Sequence, residues 1–274
     1  DIPVLLDYRD LGPGEFTELF PKNFQFLSKI LFYPFFYRTK KIFKNSSGII
    51  GITKNFLKKA LQKCERKQSV FDNYFYLPYE PKKHSIEELN LAKSFWNKHI
   101  DLNDTNKLRI CYFGAIGYQS DWNSIIEVSK LCISNNLEVE FVICGSGDKL
   151  NYLRNISIKQ NNIILPGFVN SSQIQVLMNH STFGLCAYFP KPNYMHSIPG
   201  KAVEYLFGGL QIIHSLENSL LSEFLEKYKI NNCFSHNNPF ELYKFLKNYK
   251  PNKKLENIYR SKIKKIFFDN FDSN

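Results

Sequence analysis

The stretch VEFVICGSGDKL, residues 139–150, decides the predicted fold. Its first part, Val139 to Cys144, is apolar apart from Glu140 and has the length and composition of a β-strand. The turn residues Gly145 to Asp148 end that strand, and a helix is predicted from Lys149 onward. A strand, a glycine-rich turn and a helix form the repeating unit of a parallel α/β sheet.

The same unit recurs on both sides of this stretch. Further strands are predicted at 108–113, 163–165, 182–187 and 211–214, and helices at 124–135, 172–179 and 201–207. Strands that alternate with helices at this spacing predict a doubly wound, Rossmann-like α/β fold with a parallel sheet.

The first hundred residues show a less regular pattern. Strands are predicted at 2–7, 47–53 and within 69–77, and helices at 24–44, 54–67 and 85–99. The run Ile2–Asp7 reads as a buried strand, and Pro34 is expected to divide the segment 24–44 into two shorter helices. The polar loop at 101–106 is the predicted domain boundary. It gives domains at 1–104 and 105–250, and a final helix at 251–274 that is expected to pack back on the N-terminal domain.

The chain is strongly basic, with a formal net charge of +11 and a pI near 9.2. An anionic partner is therefore expected: nucleic acid, anionic lipid or a nucleoside diphosphate sugar. The positive residues are scattered, without a nucleic-acid-binding signature, so nucleic acid is not expected. The segment 24–44 places basic residues beside apolar ones. This pattern suits either packing on its own domain or an interfacial helix on an anionic membrane.

The cysteines predict a reducing compartment. Six cysteines occur, none in a C-x-x-C pair, and Cys111, Cys144 and Cys186 lie inside apolar strand-like runs. Buried free thiols are therefore expected rather than disulfides or a metal site. Free thiols of this kind predict a reducing, cytoplasmic location, and no apolar run approaches the length of a membrane span and no signal peptide is visible.

The most informative candidate site is the stretch HSIPGKAVEYLFGG, residues 196–209. A helix begins here, with Ser197 as N-cap and Pro199 as first residue, or alternatively at Gly200. A helix N-terminus presents free amides and partial positive charge, which suit a diphosphate. Lys201 in the first turn would add a full charge, and Glu204 one turn later would accept hydrogen bonds from ribose hydroxyls. A surface helix with a Glu–Lys pair is the alternative.

The loops that follow the predicted strands should meet this helix. In an open parallel sheet, ligands bind beyond the carboxyl ends of the strands, where the strand order reverses. The loops concerned are 114–119, 145–148, 167–169 and 189–200. They bring Gly114, Gly117, Gly145, Gly167 and Phe168 to the expected ligand face.

These motifs, taken in order, resemble glycosyltransferase family 4. The resemblance rests on the glycine-rich turn after 108–113, Cys144-Gly-Ser-Gly147, Pro166-Gly-Phe-Val169, the run Ser197 to Leu206, and Gly209. The opening run of residues 3–11 also resembles a strand and Arg-Asp-Leu turn late in that family's N-terminal domain. The resemblance implies a GT-B fold of two Rossmann-like doubly wound domains, the N-terminal one incomplete because the family's first strands would precede Asp1.

The resemblance also implies an activity and a set of donor-binding residues. Family members transfer a glycosyl group with retention, generally without a metal or another cofactor, in polysaccharide and glycolipid synthesis. Glu204 is similar to the second glutamate of the family's Glu-x7-Glu motif and would bind the donor ribose; His196 stands at the position of the first. The loop at Gly167, Phe168 and Val169 would hold the base, and the amides from Pro199 to Lys201 the phosphates. A UDP-sugar is the favoured donor.

The resemblance further implies a saccharide or lipid-linked acceptor, bacterial surface polysaccharide synthesis, and peripheral contact with the inner face of the cell membrane. One departure from the family is the loop at 117–122, which lacks the cation that many relatives place there. No general base is identified.

Several residues keep two interpretations. Arg9 and Asp10 either face a cleft or form a buried structural pair. His196 either touches the donor or is an ordinary loop residue, whereas His214 is expected to serve packing. Tyr188 and Tyr194 either stack on a sugar or base or anchor their loop.

Two other classes of function compete with a glycosyltransferase. A nicotinamide or flavin Rossmann protein is disfavoured because the G-x-G-x-x-G spacing fails at Gly114 to Gly117. A non-catalytic or degenerate GT-B module that acts as a binding or partner subunit stays open.

Overall fold

Two parallel sheets organise the chain, one in each of two units of the computed structural model. The structure describes residues 2–14, 17, 20–104, 107–250 and 252–272. The first unit comprises Asp1–Leu77 with Met195–Ser197, and the second comprises Pro78–Tyr194 with Ile198–Asn274. The predicted division at 104 stays a prediction; in the structure, residues 78–104 belong to the second unit.

The first unit has a three-stranded parallel sheet in the order β1-β2-β3. Its strands are β1 (Leu5–Tyr8), β2 (Gly48–Gly51) and β3 (Asn73–Tyr74), and its helices are α1 (Gln25–Leu31), α2 (Tyr33–Asn45) and α3 (Lys54–Cys64). The predicted division of the segment 24–44 is confirmed, with Pro34 in the first turn of α2. Proline is tolerated there because a first-turn amide has no helical acceptor.

The core of this unit lies between the sheet and the helices α2 and α3. Tyr8 packs edge-on against Phe43 of α2, with ring centroids 5.0 Å apart, and also contacts Phe56 of α3. Helix α3 begins where the Thr53 hydroxyl accepts a hydrogen bond from the Phe56 amide, and it ends at Glu65 in the left-handed conformation. The core of this unit is therefore formed by side chains of β1, β2, α2 and α3.

The prediction of a buried strand at Ile2–Asp7 is wrong in two respects. The strand starts at Leu5, and the side chains of Ile2, Val4 and Leu5 are 90%, 50% and 58% exposed. In the described sheet β1 pairs only with β2, so apolar side chains of this edge strand face solvent. Arg9 pairs with Asp7 at the surface and Asp10 is also exposed, so the interpretation of a buried Arg9–Asp10 pair is wrong too.

Asp72 fixes the start of β3 against β2. Its buried carboxylate accepts hydrogen bonds from the amides of Ile49 and Ser69, at 2.8 and 2.6 Å, and pairs with Arg66. Burial alone would raise the pKa of this carboxyl, but the amides and the guanidinium hold it below its ordinary value.

Asp72→Asn should lower the free energy of unfolding by about 2 kcal/mol at neutral pH, because an amide cannot accept all of these bonds. Since the folded pKa of Asp72 is depressed, its contribution is present above the unfolded pKa and is lost as pH falls through the folded pKa. The difference between wild type and variant in urea unfolding should therefore shrink in acid. An equal difference at all pH values would contradict the assignment.

The second unit carries a six-stranded parallel sheet in the order β6-β5-β4-β7-β8-β9. The strands are β4 (Leu108–Ala115), β5 (Val139–Ser146), β6 (Ile163–Gly167), β7 (Phe183–Cys186), β8 (Gln211–His214) and β9 (Asn231–Cys233). The helices are α4 (Ile86–Trp96), α5 (Trp122–Ser134), α6 (Leu150–Ser157), α7 (Ser171–Asn179), α8 (Pro192–Met195), α9 (Gly200–Gly208), α10 (Leu220–Lys227), α11 (Pro239–Asn248) and α12 (Lys253–Phe271).

The strand order reverses between β4 and β7. The chain proceeds from β4 outward through β5 and β6, then returns to the other side of β4 as β7 and continues to β9. The loops after β4 and β7 therefore diverge at this point, which is where open α/β sheets bind ligands. The predicted doubly wound fold is confirmed for this unit.

Helices cover the sheet and fix its ends. Helix α4 begins with a capping box between Ser85 and Glu88, and the Trp96 indole donates to the carbonyl of Gln173 in α7. Helix α12 packs against α9, and its Arg260 donates to the carbonyls of Met178, Gly208 and Ser181. The final helix is thus held within the second unit; its expected packing on the N-terminal domain stays a prediction.

The predicted free thiols are confirmed. All six cysteines are free, and Cys111, Cys144 and Cys186 are buried inside the strands of the second unit. Burial raises the pKa of Cys111 and of Cys186 to about 12, which leaves both as unreactive core thiols at neutral pH.

Candidate donor-binding site

Three glycines bring the ends of β4 and β5 close together. Gly114, Gly145 and Gly147 have φ of 136°, 130° and 149°, a backbone conformation that L side chains rarely adopt. Gly114 and Gly145 are register partners, and a Cβ on Gly145 would collide with the carbonyl oxygen of Gly114. The two loops therefore form a smooth backbone floor at the carboxyl edge of the sheet.

Helix α9 points its N-terminus at this floor. It begins at Gly200, after Pro199 in an extended conformation, and the N-cap position supplies no side-chain hydrogen bond. The first amides of a helix lack intrahelical acceptors, so this end is suited to an anion. The alternative start at Gly200 is thus the correct one, and the assignment of Ser197 as N-cap is wrong.

Lys201 extends from α9 over the floor. An added Cβ on Gly114 would lie 2.5 Å from Lys201 Nζ, which shows how closely the ammonium approaches the backbone of β4. The ammonium also lies 4.7 Å from the centre of the Tyr112 ring and 5.9 Å from that of Tyr188. Burial lowers the pKa of Lys201, against the opposing effects of Cys186 and Glu204. Because burial disfavours the charged form of Lys201, a bound anion next to the ammonium would stabilise it.

Glu204 lies one turn further along α9, on the same side of the helix. It is half-buried, and burial raises the pKa of its carboxyl while Lys201 lowers it. Glu204 also contributes, after burial, to raising the pKa of Tyr79 to about 12. Lys201 and Glu204 therefore place an ammonium and a carboxylate on the same side of α9.

The floor, the helix end and a flanking loop enclose a cleft of about 690 Å³ within the second unit. It is lined by Phe113, Gly114, Ala115, Cys144, Gly145, Ser146, Phe168, Val169, Ile174, Tyr188, Gly200, Lys201 and Glu204. Phe168 is 81% exposed at one side, and Lys201 is the cation among these lining residues. The volume and the mixture of backbone, aromatic and charged groups suit a nucleotide.

Comparisons with known proteins identify the fold. No protein-family model matches the sequence, and no curated protein matches it either. Solved structures do match. HepE of Anabaena, crystallised with UDP and glucose, superposes with a TM-score of 0.66 at 14% identity, over 98% of this chain and 68% of HepE. The chain has the GT-B fold.

Two further GT-B structures give the same result. WaaG, a glycosyltransferase involved in lipopolysaccharide biosynthesis, has a TM-score of 0.66 at 12% identity, over 97% of this chain and 71% of WaaG. A TarM variant of S. aureus, crystallised with Fondaparinux, alpha-GlcNAc-glycerol and UDP, has a TM-score of 0.58 at 14% identity. That match covers 85% of this chain but only 43% of TarM, so the chain spans less than half of that protein.

Most of the predicted donor-binding residues of this GT-B chain lie in or beside the cleft. Gly114, Gly145, Phe168, Val169, Gly200, Lys201 and Glu204 line it. Gly167 ends β6 with φ of 88°, directly before Phe168, and Pro199 is the N-cap of α9. Gly117 accepts a hydrogen bond from the Trp122 indole and lies outside the lining residues.

His196 and Ser197 belong to the first unit. The His196 carbonyl accepts a hydrogen bond from the Thr53 hydroxyl at 2.9 Å, and Ser197 is buried. Burial, and then Lys59, lower the pKa of His196, so its imidazole is neutral at pH 7. The roles expected for His196 and Ser197 in donor binding stay predictions.

The two tyrosines of the loop after β7 stack on each other. Tyr188 and Tyr194 have ring centroids 4.3 Å apart and an interplanar angle of 11°. Tyr188 is buried and lines the cleft, and its backbone forms a bridge to Ser120 of the loop after β4. One face of Tyr188 is therefore occupied by Tyr194, as expected for loop anchoring. His214 is fully buried, as expected for packing.

Sequence reasoning missed Tyr112 and Ile174. Tyr112 lies under the Lys201 ammonium, but its place in an apolar strand predicts only a core residue. Ile174, in the first turn of α7, lines one side of the cleft. Helical spacing alone does not show which face of α7 lies against the cleft. The pairing of Tyr112 with Lys201 depends on the topology that brings β4 beside α9.

Proposed function

We propose that this chain is the sugar-nucleotide-binding half, with part of the acceptor half, of a glycosyltransferase. The enzyme moves a sugar from a nucleotide-sugar donor to a saccharide or lipid-linked acceptor with retention, as family 4 enzymes do. The supporting observation is the arrangement of Lys201, Glu204 and the α9 N-terminus over the glycine floor at the switch point.

Each part of the cleft has a role in this proposal. The α9 amides and the Lys201 ammonium face the developing negative charge of the departing diphosphate and stabilise it electrostatically. The Glu204 carboxylate accepts hydrogen bonds from the ribose hydroxyls, and the exposed Phe168 covers the base. UDP is the favoured nucleotide, since HepE and the TarM variant were crystallised with it.

The biological setting is proposed from the same resemblance. A role in bacterial surface polysaccharide synthesis, on the inner face of the cell membrane, suits a basic GT-B chain. We propose that the donor is bound without a metal or another cofactor. Among the described residues, no group of three or more His, Cys, Asp and Glu side chains is placed to hold a metal ion.

Calorimetric titration with UDP-, GDP-, ADP- and dTDP-sugars tests the donor site. We expect saturable binding of one nucleotide class, with a UDP-sugar favoured, and no change on addition of EDTA. A folded protein that binds none of them would contradict the proposed function. A requirement for Mg²⁺ would contradict metal-independent binding.

Glu204→Gln should remove the preference for ribose over deoxyribose. In the wild type, replacing UDP by its 2′-deoxy analogue should weaken binding about tenfold, because a hydrogen bond to a charged acceptor is lost. In the variant the two nucleotides should bind within about twofold of each other, because the hydrogen bond between residue 204 and the 2′-hydroxyl is already weakened and removing the hydroxyl costs little more.

The matched control is Glu138→Gln, which neutralises an exposed carboxylate that lies outside the lining of the cleft. It should keep the full ribose preference. If Glu204→Gln kept that preference as well, the ribose would be recognised by another group.

A degenerate GT-B module that binds a partner or a nucleotide without transferring sugar is the second candidate. It is favoured by the loop at 117–122, which has no cation to assist Lys201. Donor binding without hydrolysis or transfer, in the presence of several acceptor classes, would support this candidate.

A further inference from the structure

We propose that a groove on the first unit binds an acidic oligosaccharide. The groove has a volume of about 730 Å³ and lies along α3, the turn after it and β3. The described residues that line it all belong to the first unit, and none of them lines the donor cleft. The proposal deepens the proposed function, since the role of the oligosaccharide as acceptor rests on that function.

One stripe of α3 forms a long side of the groove. Lys54, Lys58 and Leu61 are spaced four and three residues apart, so they lie on the same side of the helix. The helix ends at Glu65, and the chain then leads to β3, where Tyr74 also lines the groove. The 11 residues of α3 span about 16 Å, so a ligand that lies along the helix can be several sugar rings long.

Three exposed lysines place positive charge at both ends of this stripe. Lys54 and Lys58 lie in the first half of α3, and Lys67 follows its last turn. Glu65 is the carboxylate among the lining residues, and it already pairs with Lys40 at 2.7 Å. The groove is therefore complementary to a ligand that carries negative charge at more than one point along its length.

The groove also offers polar and aromatic groups that suit a sugar. The guanidinium of Arg66 is held in the lining by its ion pair with the buried Asp72. The side-chain amides of Gln62 and Gln68 can both donate and accept hydrogen bonds, as sugar hydroxyls do. The ring of Tyr74 is 38% exposed and can pack on the apolar C–H face of a pyranose. An oligosaccharide with acid groups on successive sugars matches all of these groups.

Nucleic acid is the other class of flexible polyanion, and the groove suits it less well. Proteins that bind single strands stack successive bases on several aromatic side chains. Tyr74 is the aromatic residue among the described residues that line the groove, and Leu57 and Leu61 supply the rest of its apolar surface. The lining therefore favours sugar rings over a row of stacked bases.

If the chain transfers sugar as proposed, the groove holds an acidic acceptor at a second point. A second attachment raises the effective concentration of the acceptor chain without changing the chemistry of transfer. Changes in the groove should therefore raise KM for an acidic acceptor and leave the affinity for the donor unchanged.

Calorimetric titration of the full chain with tetragalacturonate, without any nucleotide, tests the groove. We expect saturable binding at one site, and binding of the uncharged maltotetraose at least about tenfold weaker, because it lacks the carboxylates. Added salt should weaken the binding of tetragalacturonate, since exposed charges are screened. Tighter binding of a strand of four deoxythymidine nucleotides would overturn the assignment to a saccharide.

Lys58→Gln with Lys67→Gln should weaken the binding of tetragalacturonate about tenfold, because each exposed ion pair contributes about threefold. Tyr74→Thr should weaken it about fivefold at low and at high salt alike, since the packing of a ring on a sugar is not screened. The substituted positions are exposed, and threonine suits a strand, so circular dichroism melts should remain unchanged.

The matched control is Lys29→Gln with Lys41→Gln, which removes two exposed cations of the same unit that lie outside the lining of the groove. It should keep the affinity for tetragalacturonate within about twofold. An equal loss in the two double variants would overturn the proposal, because net charge alone would then hold the ligand. A folded wild type that does not bind tetragalacturonate would overturn it as well.

Titration of the same proteins with UDP separates this proposal from the donor site. Binding of UDP without binding of tetragalacturonate would overturn the groove and leave the proposed function standing. Binding of tetragalacturonate without binding of UDP would support the groove and contradict the donor site.

Discussion

Lys201→Met should weaken UDP binding by about thirtyfold to a hundredfold, because hydrogen bonds between a charged donor and a phosphate contribute about 2–3 kcal/mol. The loss is large since Lys201 is the cation among the residues that line the cleft. Methionine keeps the unbranched apolar stem and the contact with Tyr112, so the shape of the cleft is retained. Calorimetric titration with UDP measures the effect.

The same variant should be at least as stable as the wild type without ligand. Burial lowers the pKa of Lys201, so the folded state holds its proton less readily than the unfolded state does. Stability therefore rises as pH increases between the folded and unfolded pKa values of this lysine. At pH values below the folded pKa, the cost of the buried cation is fully present, and methionine removes it.

Two measurements separate a phosphate contact from a general distortion of the cleft. Uridine, which carries no phosphate, should bind the Lys201→Met variant and the wild type equally. Lys159→Met removes an exposed cation elsewhere in the second unit and should leave UDP affinity within about twofold, as distant surface charges are screened. If Lys201→Met bound UDP as tightly as the wild type, the α9 amides alone would hold the diphosphate.

The sequence predicted the strands of the second sheet well because local pattern and burial agree there. The run from Val139 to Cys144 is apolar except for Glu140, which pairs with Arg109 of β4, and it is buried on both faces, as parallel strands are. The strands nevertheless extend further than predicted, to Ala115 and Ser146, because Gly114 and Gly145 continue the ladder as register partners. Glycine normally indicates a turn, so a paired glycine at a strand end is not visible in the sequence.

The errors occurred where tertiary context overrides a local preference. Serine is a favoured N-cap, yet Ser197 is buried in the first unit and α9 begins only after Pro199. The apolar start of β1 reads as buried, but apolar side chains of this edge strand remain exposed. The elements α10, β9 and α11 were not predicted, although Ser219 caps α10 and Asn238-Pro239 starts α11.

The charged part of the candidate site was accessible from the sequence for a simple physical reason. Lys201 and Glu204 lie three positions apart on one helix, so their common face follows from helical spacing. Tyr112 comes from a distant strand, and no local pattern links it to Lys201. Side chains from one element can thus be placed together from sequence, whereas contacts between elements require the topology.

Gly145→Ala should lower the free energy of unfolding of the second unit by about 4 kcal/mol, through backbone strain and collision together. Gly145 has φ of 130°, and its new methyl group would strike the carbonyl oxygen of Gly114, which is backbone and cannot rotate away. Because the floor of the cleft would shift with β4, UDP binding should be lost as well. Urea unfolding followed by circular dichroism, with titration of the folded protein, measures both effects.

Two other glycines separate the contributions of strain and collision. Gly167 has φ of 88° but no atom within 4 Å of an added Cβ, so Gly167→Ala should cost only about 1–2 kcal/mol of strain. Gly200 has neither a positive φ nor a close neighbour, and alanine there should leave stability unchanged or raise it by up to about 1 kcal/mol. The expected order of destabilisation is therefore Gly145, Gly167, Gly200. If the Gly145 and Gly167 variants were equally destabilised, strain alone would set the cost, and the close approach of β4 and β5 would not be needed to keep the floor in place.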